Sequence, residues 1–188
     1  MSETPPETPR RRRFGCLLPF LVLIALVVVV VVAVPQVAQS LRQPAYSVRL
    51  AAMTPPDTLP VPVVGVTPGQ IADTWGAARS GGRTHEGTDI FADRGTPVVS
   101  ATEGVVTSLR PNSLGGTVVW VMGPGREMHY YAHLDAHAPD LAEGQRVAVG
   151  DTLGTVGTSG NAAGTPPHLH YGIYRTGGAV NPYPRLAP

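Results

Sequence analysis

The sequence contains no lysine, because all 14 of its basic residues are arginines. This absence excludes a Schiff-base or lysine general-base enzyme, the lysine of a phosphate-binding loop, and a biotinyl or lipoyl attachment site. Cys16 is the single cysteine, so the chain can form neither an internal disulfide nor a cysteine-based zinc site. Any metal ion must therefore be bound by histidines and carboxylates. The formal net charge of +1 does not favour nucleic acid or an acidic polymer as a partner.

The N-terminal part of the sequence predicts a membrane anchor. Residues 10–13 are all arginine and precede an uncharged apolar run at residues 14–34. A spanning helix needs about 20 apolar residues, and the positive-inside rule keeps the arginines in the cytoplasm. We predict a cytoplasmic basic tail at residues 1–13, a transmembrane signal-anchor helix at residues 14–34 that contacts the lipid bilayer, and export of the remainder across the bacterial cytoplasmic membrane. The alternative is a cleaved signal peptide and a secreted protein, because small residues lie near Ala33 and Ala38.

The rest of the chain divides into a linker and one folded domain. Prolines recur within residues 35–60, which predicts a semi-extended Pro-rich linker. Residues 61–188 are rich in Gly, Pro, Val and Thr, and this composition favours short strands separated by turns. The predicted fold class is therefore mostly β with an antiparallel sheet. The predicted strands are Thr88–Phe91, Pro97–Ser100, Gly104–Leu109, Thr117–Met122, Glu127–Leu134, Gln145–Val149, Thr152–Val156 and His168–Tyr174.

All six histidines fall within this domain, in three places. His168 and His170 are two residues apart in a predicted strand and therefore point to the same face. His85 and Asp89 flank Gly87, in a loop that enters a strand, so both could reach one metal ion. A catalytic zinc takes three protein ligands of this kind and leaves a fourth position open.

The remaining histidines are weaker candidates. His129, Tyr131 and His133 alternate along a predicted strand and should share one face. A lone histidine is more often a surface residue or a satisfied core residue, and we expect this of His129 and His137. Spacing alone does not name the reaction.

The order of these motifs resembles the LytM/lysostaphin-type metallopeptidases. The resemblance covers roughly residues 73–182. The motifs that carry it are Arg83-Thr84-His85-Glu86-Gly87-Thr88-Asp89-Ile90, Gly95-Thr96-Pro97-Val98, Gly104-Val105-Val106, Tyr131-Ala132-His133-Leu134, Gly144-Gln145-Arg146-Val147, Gly150-Asp151, Gly154-Thr155-Val156-Gly157 and His168-Leu169-His170.

The resemblance implies one Zn²⁺ bound by His85, Asp89 and His170, with His133 and His168 as the catalytic histidines. It also implies a β-sheet domain crossed by a narrow substrate groove. The implied activity is zinc-dependent hydrolysis of peptide bonds in peptidoglycan cross-links. The implied partner is the peptide portion of peptidoglycan.

Some residues and functions stay open at this level. Tyr131 is either an oxyanion donor or a packed strand aromatic, and Arg79 and Arg83 either bind a substrate carboxylate or are ordinary exposed arginines. Trp75 is expected in the core or the groove wall, and the glycines from Gly157 to Gly164 predict a loop at the rim of the groove. The alternative functions are a catalytically silent relative that binds peptidoglycan or activates other hydrolases, a hydrolase of another exported peptide, and a biotinyl-carrier-like domain, against which the lack of lysine argues.

Overall fold

The structure is a computed structural model that describes the backbone of residues 17–188, with the side chains of residues 17, 18, 29 and 32–43 outside the description. The predicted basic tail at residues 1–13 lies outside the described residues, as does part of the predicted spanning segment at residues 14–34. Helix α1 comprises Leu17–Ala52. Within the described residues, no helix combines the length and hydropathy needed to cross a bilayer. The anchor stays a prediction.

The chain forms two compact units, Met1–Pro44 and Ala45–Pro188. The second unit begins with the last turns of α1. There the Tyr46 hydroxyl donates a hydrogen bond of 3.1 Å to the Glu103 carboxylate, and Leu50 is fully buried. Residues 45–52 are therefore helical where we predicted an extended linker, because an apolar side chain in this stretch is buried in the β-rich unit.

The described residues form nine β-strands in one sheet, and every pairing in it is antiparallel. Every strand predicted from the sequence is present, with ends that differ by a few residues. The last strand was not predicted, nor was the short helix α2 at Tyr183–Leu186. The strands are β1 Thr88–Phe91, β2 Pro97–Val99, β3 Gly104–Ser108, β4 Thr117–Met122, β5 Met128–His137, β6 Arg146–Val147, β7 Thr152–Val156, β8 His168–Arg175 and β9 Gly178–Val180.

The strand order places the two histidine-bearing strands together. The central path is β1-β8-β5-β4-β3-β6, while β2 pairs with β7, β7 also pairs with β5, and β9 pairs with β8. One face of the sheet carries the main apolar core, which includes Leu169 and Tyr171 of β8. The other face carries a smaller aromatic cluster around Tyr130 and Trp120. The alternation of β8 therefore places His168 and His170 on one face, as predicted, and this face is opposite the main core that contains Leu169.

Strand β5 contains a bulge at His133. This residue has φ 63°, a left-handed backbone conformation that is uncommon outside glycine. Tyr131 pairs with Val119 and Leu134 pairs with Thr117, so β5 carries one more residue than β4 between these two pairs. As a result Leu134 returns to the main core beside Tyr131, and His133 faces the opposite side. The prediction that His129, Tyr131 and His133 share one face is therefore wrong for His133.

The two ends of the second unit meet at a buried carboxylate. Glu127 is fully buried and accepts hydrogen bonds from Nε of Arg175 (2.6 Å) and from Nη1 of Arg185 (2.9 and 3.0 Å). Arg185 lies in α2, and its Nη2 also donates to the carbonyl of Pro56 (2.6 Å), while its own carbonyl accepts from the Leu59 amide (2.8 Å). We call this arrangement the Arg185 clamp.

Candidate metal centre and substrate groove

Three side-chain donors converge at one point of the sheet. Nε2 of His85 lies 2.8 Å from Nδ1 of His170 and 3.0 Å from Oδ1 of Asp89, and the last two atoms are 3.1 Å apart. Ligands of a tetrahedral zinc at ordinary bond lengths are on the order of 3.3 Å apart. Two imidazole nitrogens and a carboxylate oxygen are suitable zinc donors, so these residues fit a metal ion. The structure thus brings together the three predicted ligands.

Strand pairing explains the convergence of Asp89 and His170. They are directly opposite each other in the antiparallel pair β1 and β8, where facing side chains lie close together. His85 reaches the same point from the loop before β1. Gly87 makes this approach feasible, because a Cβ atom there would lie 2.5 Å from Cε1 of His170 and 2.7 Å from the carbonyl of Tyr171. The glycine between His85 and Asp89 is therefore a steric requirement of the site.

The hydrogen bonds around the three donors keep them in their binding forms. Nδ1 of His85 is 2.6 Å from the carbonyl of Thr74 and must donate to it, which leaves Nε2 with a free electron pair. Oδ2 of Asp89 forms an ion pair with Arg79, while Oδ1 faces the two histidines. Burial alone would raise the pKa of Asp89, but its interactions with His170, His85 and Arg79 hold that pKa well below its usual range. Asp89 is therefore a carboxylate at neutral pH.

Two further histidines face the same point. Their rings lie close to each other, with centroids of His133 and His168 5.0 Å apart, and the ring of His133 is 5.8 Å from that of His170. Nδ1 of His133 donates to the carbonyl of Ser159 and Nδ1 of His168 donates to that of Pro166, both at 2.9 Å. Both bonds leave Nε2 as the free acceptor, and Nε2 of His168 is 4.0 Å from Oδ1 of Asp89. The two predicted catalytic histidines thus stand beside the three donors.

Burial controls the charge of His133. Desolvation is the main cause that lowers the pKa of this imidazole to about 4, despite the hydrogen bond to Ser159. His133 is therefore neutral at pH 7 and can accept a proton there.

Close contact between two loops fixes the position of the Ser159 carbonyl, to which Nδ1 of His133 donates. Gly116 precedes β4 with φ 67°, and a Cβ atom there would meet the backbone of Ser159 and Gly160 at 2.5 Å or less. Hydrogen bonds join the loops, from the Thr117 amide to Oγ of Ser159 (2.9 Å) and from the Asn161 amide to the carbonyl of Leu114 (2.9 Å). The Gly-rich turn before β4 therefore fixes the loop that holds the imidazole of His133.

An open groove of about 650 Å³ runs over these residues. The loop at residues 79–86 lines one wall, and the loops around Leu114 and Ala162 line others, which agrees with the predicted rim loop between Gly157 and Gly164. Tyr130, Trp120 and Tyr174 supply an aromatic floor, with ring centroids of Tyr130 and Trp120 4.2 Å apart. The groove thus combines a polar metal-binding end with an apolar surface.

The structure decides between the two roles that the sequence left open for Tyr131. Tyr131 is fully buried, and its hydroxyl accepts a hydrogen bond of 3.0 Å from the amide of Ala101, so it is a packed aromatic and not an oxyanion donor. Tyr130 lines the groove instead. The sequence gives no signal that Tyr130, and not Tyr131, lines the groove, because no glycine marks the bulge at His133.

The other candidates behave as follows. His129 is a buried core residue with Nδ1 2.6 Å from the Tyr171 hydroxyl. His137 donates through Nε2 to the Val118 carbonyl at 2.9 Å. Trp75 is half-buried and is not among the residues that line the groove. Arg79 contacts Asp89, and Arg83 lies on the groove wall.

Comparisons with known proteins identify a peptidase family. The model of a family described as peptidase family M23 matches residues 83–182. An L-Ala–D-Glu endopeptidase of Bacillus subtilis is 44% identical over 124 residues, which is 60% of this chain and 38% of the relative. A peptidoglycan DD-endopeptidase of Vibrio cholerae is 36% identical over 100 residues, 53% of this chain and 22% of the relative. The chain thus spans well under half the length of these two relatives.

A solved structure shares the fold. The catalytic domain of the antimicrobial peptidase lysostaphin from Staphylococcus simulans superposes with a TM-score of 0.54 at 26% identity. The match covers 61% of this chain and 89% of that domain.

Proposed function

The chain belongs to peptidase family M23, and on that premise we propose that it is a zinc-dependent endopeptidase that hydrolyses peptide bonds in peptidoglycan. The observation that carries the proposal is the convergence of Nε2 of His85, Oδ1 of Asp89 and Nδ1 of His170 within 3.1 Å of one another. A second support is the pair of imidazoles, His133 and His168, that stand beside them. The names of the Bacillus and Vibrio relatives support peptidoglycan peptides as the substrate class.

We propose distinct roles for the five residues. His85, Asp89 and His170 hold the metal ion, which when bound supplies Lewis acidity toward a carbonyl oxygen and lowers the pKa of water. His133 and His168 present free Nε2 atoms to the groove, because backbone carbonyls engage their Nδ1 protons. One of them can take the proton of the attacking water, and the other can donate a hydrogen bond once protonated to the charge that develops on the scissile carbonyl oxygen.

The groove suits an extended peptide. Its floor is aromatic, and its lining also includes charged and polar side chains. We propose the L-Ala–D-Glu bond as the first bond to test, because the Bacillus relative at 44% identity is named for it.

Metal analysis and muropeptide mapping test the proposal together. The full-length protein, loaded with zinc, is incubated with purified peptidoglycan, and the released fragments are identified by mass spectrometry. We expect about one zinc per chain and new peptide ends. Binding to peptidoglycan without new ends would overturn the enzymatic proposal and favour a silent relative that binds the wall.

We also propose that the domain acts outside the cytoplasmic membrane, anchored through residues 14–34. The arginines at 10–13 and the apolar run that follows them support this placement. Protease added to intact spheroplasts should digest the folded domain, and protection of the domain until the membrane is lysed would contradict it.

A further inference from the structure

One wall of the groove carries an exposed arginine, Arg83. Arg83 donates only to Ser80, from Nε to the carbonyl at 3.2 Å and from Nη2 to the hydroxyl at 3.4 Å, and it is exposed. Among the residues that the structure describes, Arg83 forms no ion pair. Its neighbour Arg79 differs, because Asp89 already engages its guanidinium. Arg83 is therefore the cation that remains available to a ligand.

Arg83 lies two positions before His85 on the same wall of the groove. It is extended at φ −79° and ψ 157°, and alternate side chains of an extended segment point the same way. His85 follows two positions later, so its Cα lies about 7 Å from that of Arg83. Both residues line the groove. A group bound by Arg83 would consequently share the groove with a peptide bond held at the three donors.

The loop that carries Arg83 is built as a tight hairpin. The Arg79 amide donates to the Arg83 carbonyl at 2.9 Å, and Ala78 forms a bridge with Thr84. Gly81 and Gly82 close the turn with φ 74° and 72°. This construction holds the backbone of Arg83 in place, while its exposed side chain is held only by the two hydrogen bonds to Ser80.

The same wall also carries a negative charge, on Glu86. Glu86 also lines the groove, but its carboxylate is close to Tyr174, where burial together with this charge raises the pKa of the phenol to about 12. An acidic group on a substrate is thus repelled from the Tyr174 side and attracted to the Arg83 side. The distribution of charge gives the groove a direction.

We propose that Arg83 is a specificity-determining residue that binds a free carboxylate on the substrate residue next to the scissile bond. The inference rests on the proposed function. A glutamate residue joined through its nitrogen and one carboxyl group keeps its other carboxylate, so a substrate with an L-Ala–D-Glu bond carries such a group on the residue whose nitrogen leaves. A guanidinium binds a carboxylate in a charge-assisted, two-pronged hydrogen bond. The enzyme therefore prefers the free acid of that residue to its carboxamide.

A matched pair of peptides tests this inference. Both contain the L-Ala–D-Glu bond in the same sequence, one with the free carboxylate and one with the carboxamide. The zinc-loaded wild-type protein should cleave the acid with a kcat/KM about tenfold higher. Arg83→Gln should remove this ratio by lowering the rate on the acid alone, without loss of bound zinc. Arg110→Gln, an exposed arginine that is not among the groove-lining residues, should keep the ratio.

The outcomes separate the two proposals. Equal rates on the acid and the carboxamide, or an Arg83→Gln variant that keeps the preference, would overturn the role of Arg83. Cleavage of peptidoglycan without cleavage of either peptide would also overturn it and leave the proposed function intact. A zinc-loaded protein that cleaves neither the peptides nor peptidoglycan would overturn the proposed function itself.

Discussion

Nε2 of His85 and Nδ1 of His170 lie 2.8 Å apart, although 85 positions separate the two residues in the chain. The carbonyl of Thr74 takes the Nδ1 proton of His85, so its Nε2 carries an electron pair directed at His170. Oδ1 of Asp89 faces the same point. A cation shared by the three atoms satisfies all of them, and this relationship leads to the first prediction.

Replacement of a single donor should remove the metal. Asp89→Ala and His170→Ala each leave two protein ligands, which hold zinc poorly compared with three. We expect bound zinc to fall from about one per chain to near zero, and hydrolysis to fall with it. Elemental analysis of the purified variants measures the loss. Asp135→Ala, at an exposed ion pair with Arg94, is the matched control and should keep its zinc; a fully loaded Asp89→Ala variant would refute the ligand assignment.

Replacement of His133 should lower the turnover number without loss of the bound zinc. His133→Ala removes an imidazole that faces the centre but is not one of the three donors, so zinc should remain. The turnover number should drop by about 10² to 10⁴, the usual contribution of an acid–base group. Steady-state kinetics and zinc content, measured on the same preparation, check this. His137→Ala serves for comparison and should keep its rate, and a His133→Ala variant without zinc would make His133 a ligand.

The left-handed backbone conformation of His133 should affect the free energy of unfolding. An L-residue with a Cβ atom is strained at φ 63°, whereas glycine adopts this conformation freely. His133→Gly should therefore be more stable than His133→Ala by about 1 kcal/mol, although glycine loses more entropy on folding. Urea unfolding of the two zinc-free variants measures the difference. If alanine proves the more stable residue, the bulge is absent in solution.

Gly87 should be intolerant of any side chain. In Gly87→Ala the new methyl group would press on the ring of His170 and on the Tyr171 carbonyl, so the His170 ring must move. We expect zinc affinity to fall by about 10- to 100-fold, as for changes that disturb the surroundings of a metal ligand. Competition with a chromophoric chelator gives the affinity. Gly69→Ala is the control, because a Cβ atom there meets no other atom within 4 Å.

His129 should make the protein sensitive to acid. Burial is the main cause that lowers its pKa to about 4 in the folded protein, against 6.5 for an ordinary histidine. The unfolded chain therefore binds a proton first as the pH falls, and stability is lost between pH 6.5 and pH 4. The difference corresponds to about 3 kcal/mol.

Unfolding free energies of the wild type and of His129→Gln, measured from pH 4 to pH 8, test this prediction. The variant should lose less stability than the wild type over the acid part of the range. Parallel curves would show that His129 titrates normally in the folded protein.

The sequence predicts the strands well because their local signals are strong. Alternation placed His168 and His170 on one face, and Gly87 marked the loop that brings His85 to Asp89. The bulge at His133 escaped prediction, because nothing in Tyr131-Ala132-His133-Leu134 forces an extra residue. Tertiary packing decides it, since Leu134 gains a place in the core when the register shifts.

Other features depend on distant partners. The sequence placed a linker over residues 45–52, but burial of Leu50 favours a helix there. The contact of Arg79 with Asp89 likewise follows from the folding of a hairpin and has no signature in spacing. Local pattern therefore predicted the strands, and the resemblance to the LytM/lysostaphin-type metallopeptidases implied the ligand set. The face of the sheet on which each groove residue lies required the three-dimensional structure.

The Arg185 clamp affects how the domain responds to a pulling force on the preceding chain. A pull on the chain ahead of Ala45 would first peel Tyr46 and Leu50 from the domain and would then meet the hydrogen bonds that Arg185 makes with Pro56 and Leu59. Pro56 and Leu59 precede β1 along the chain, so tension would pass along the backbone to the loop of His85 only after these bonds had opened. A tether ahead of Ala45 would therefore load the hydrogen bonds of Arg185 before it loads the loop that carries His85.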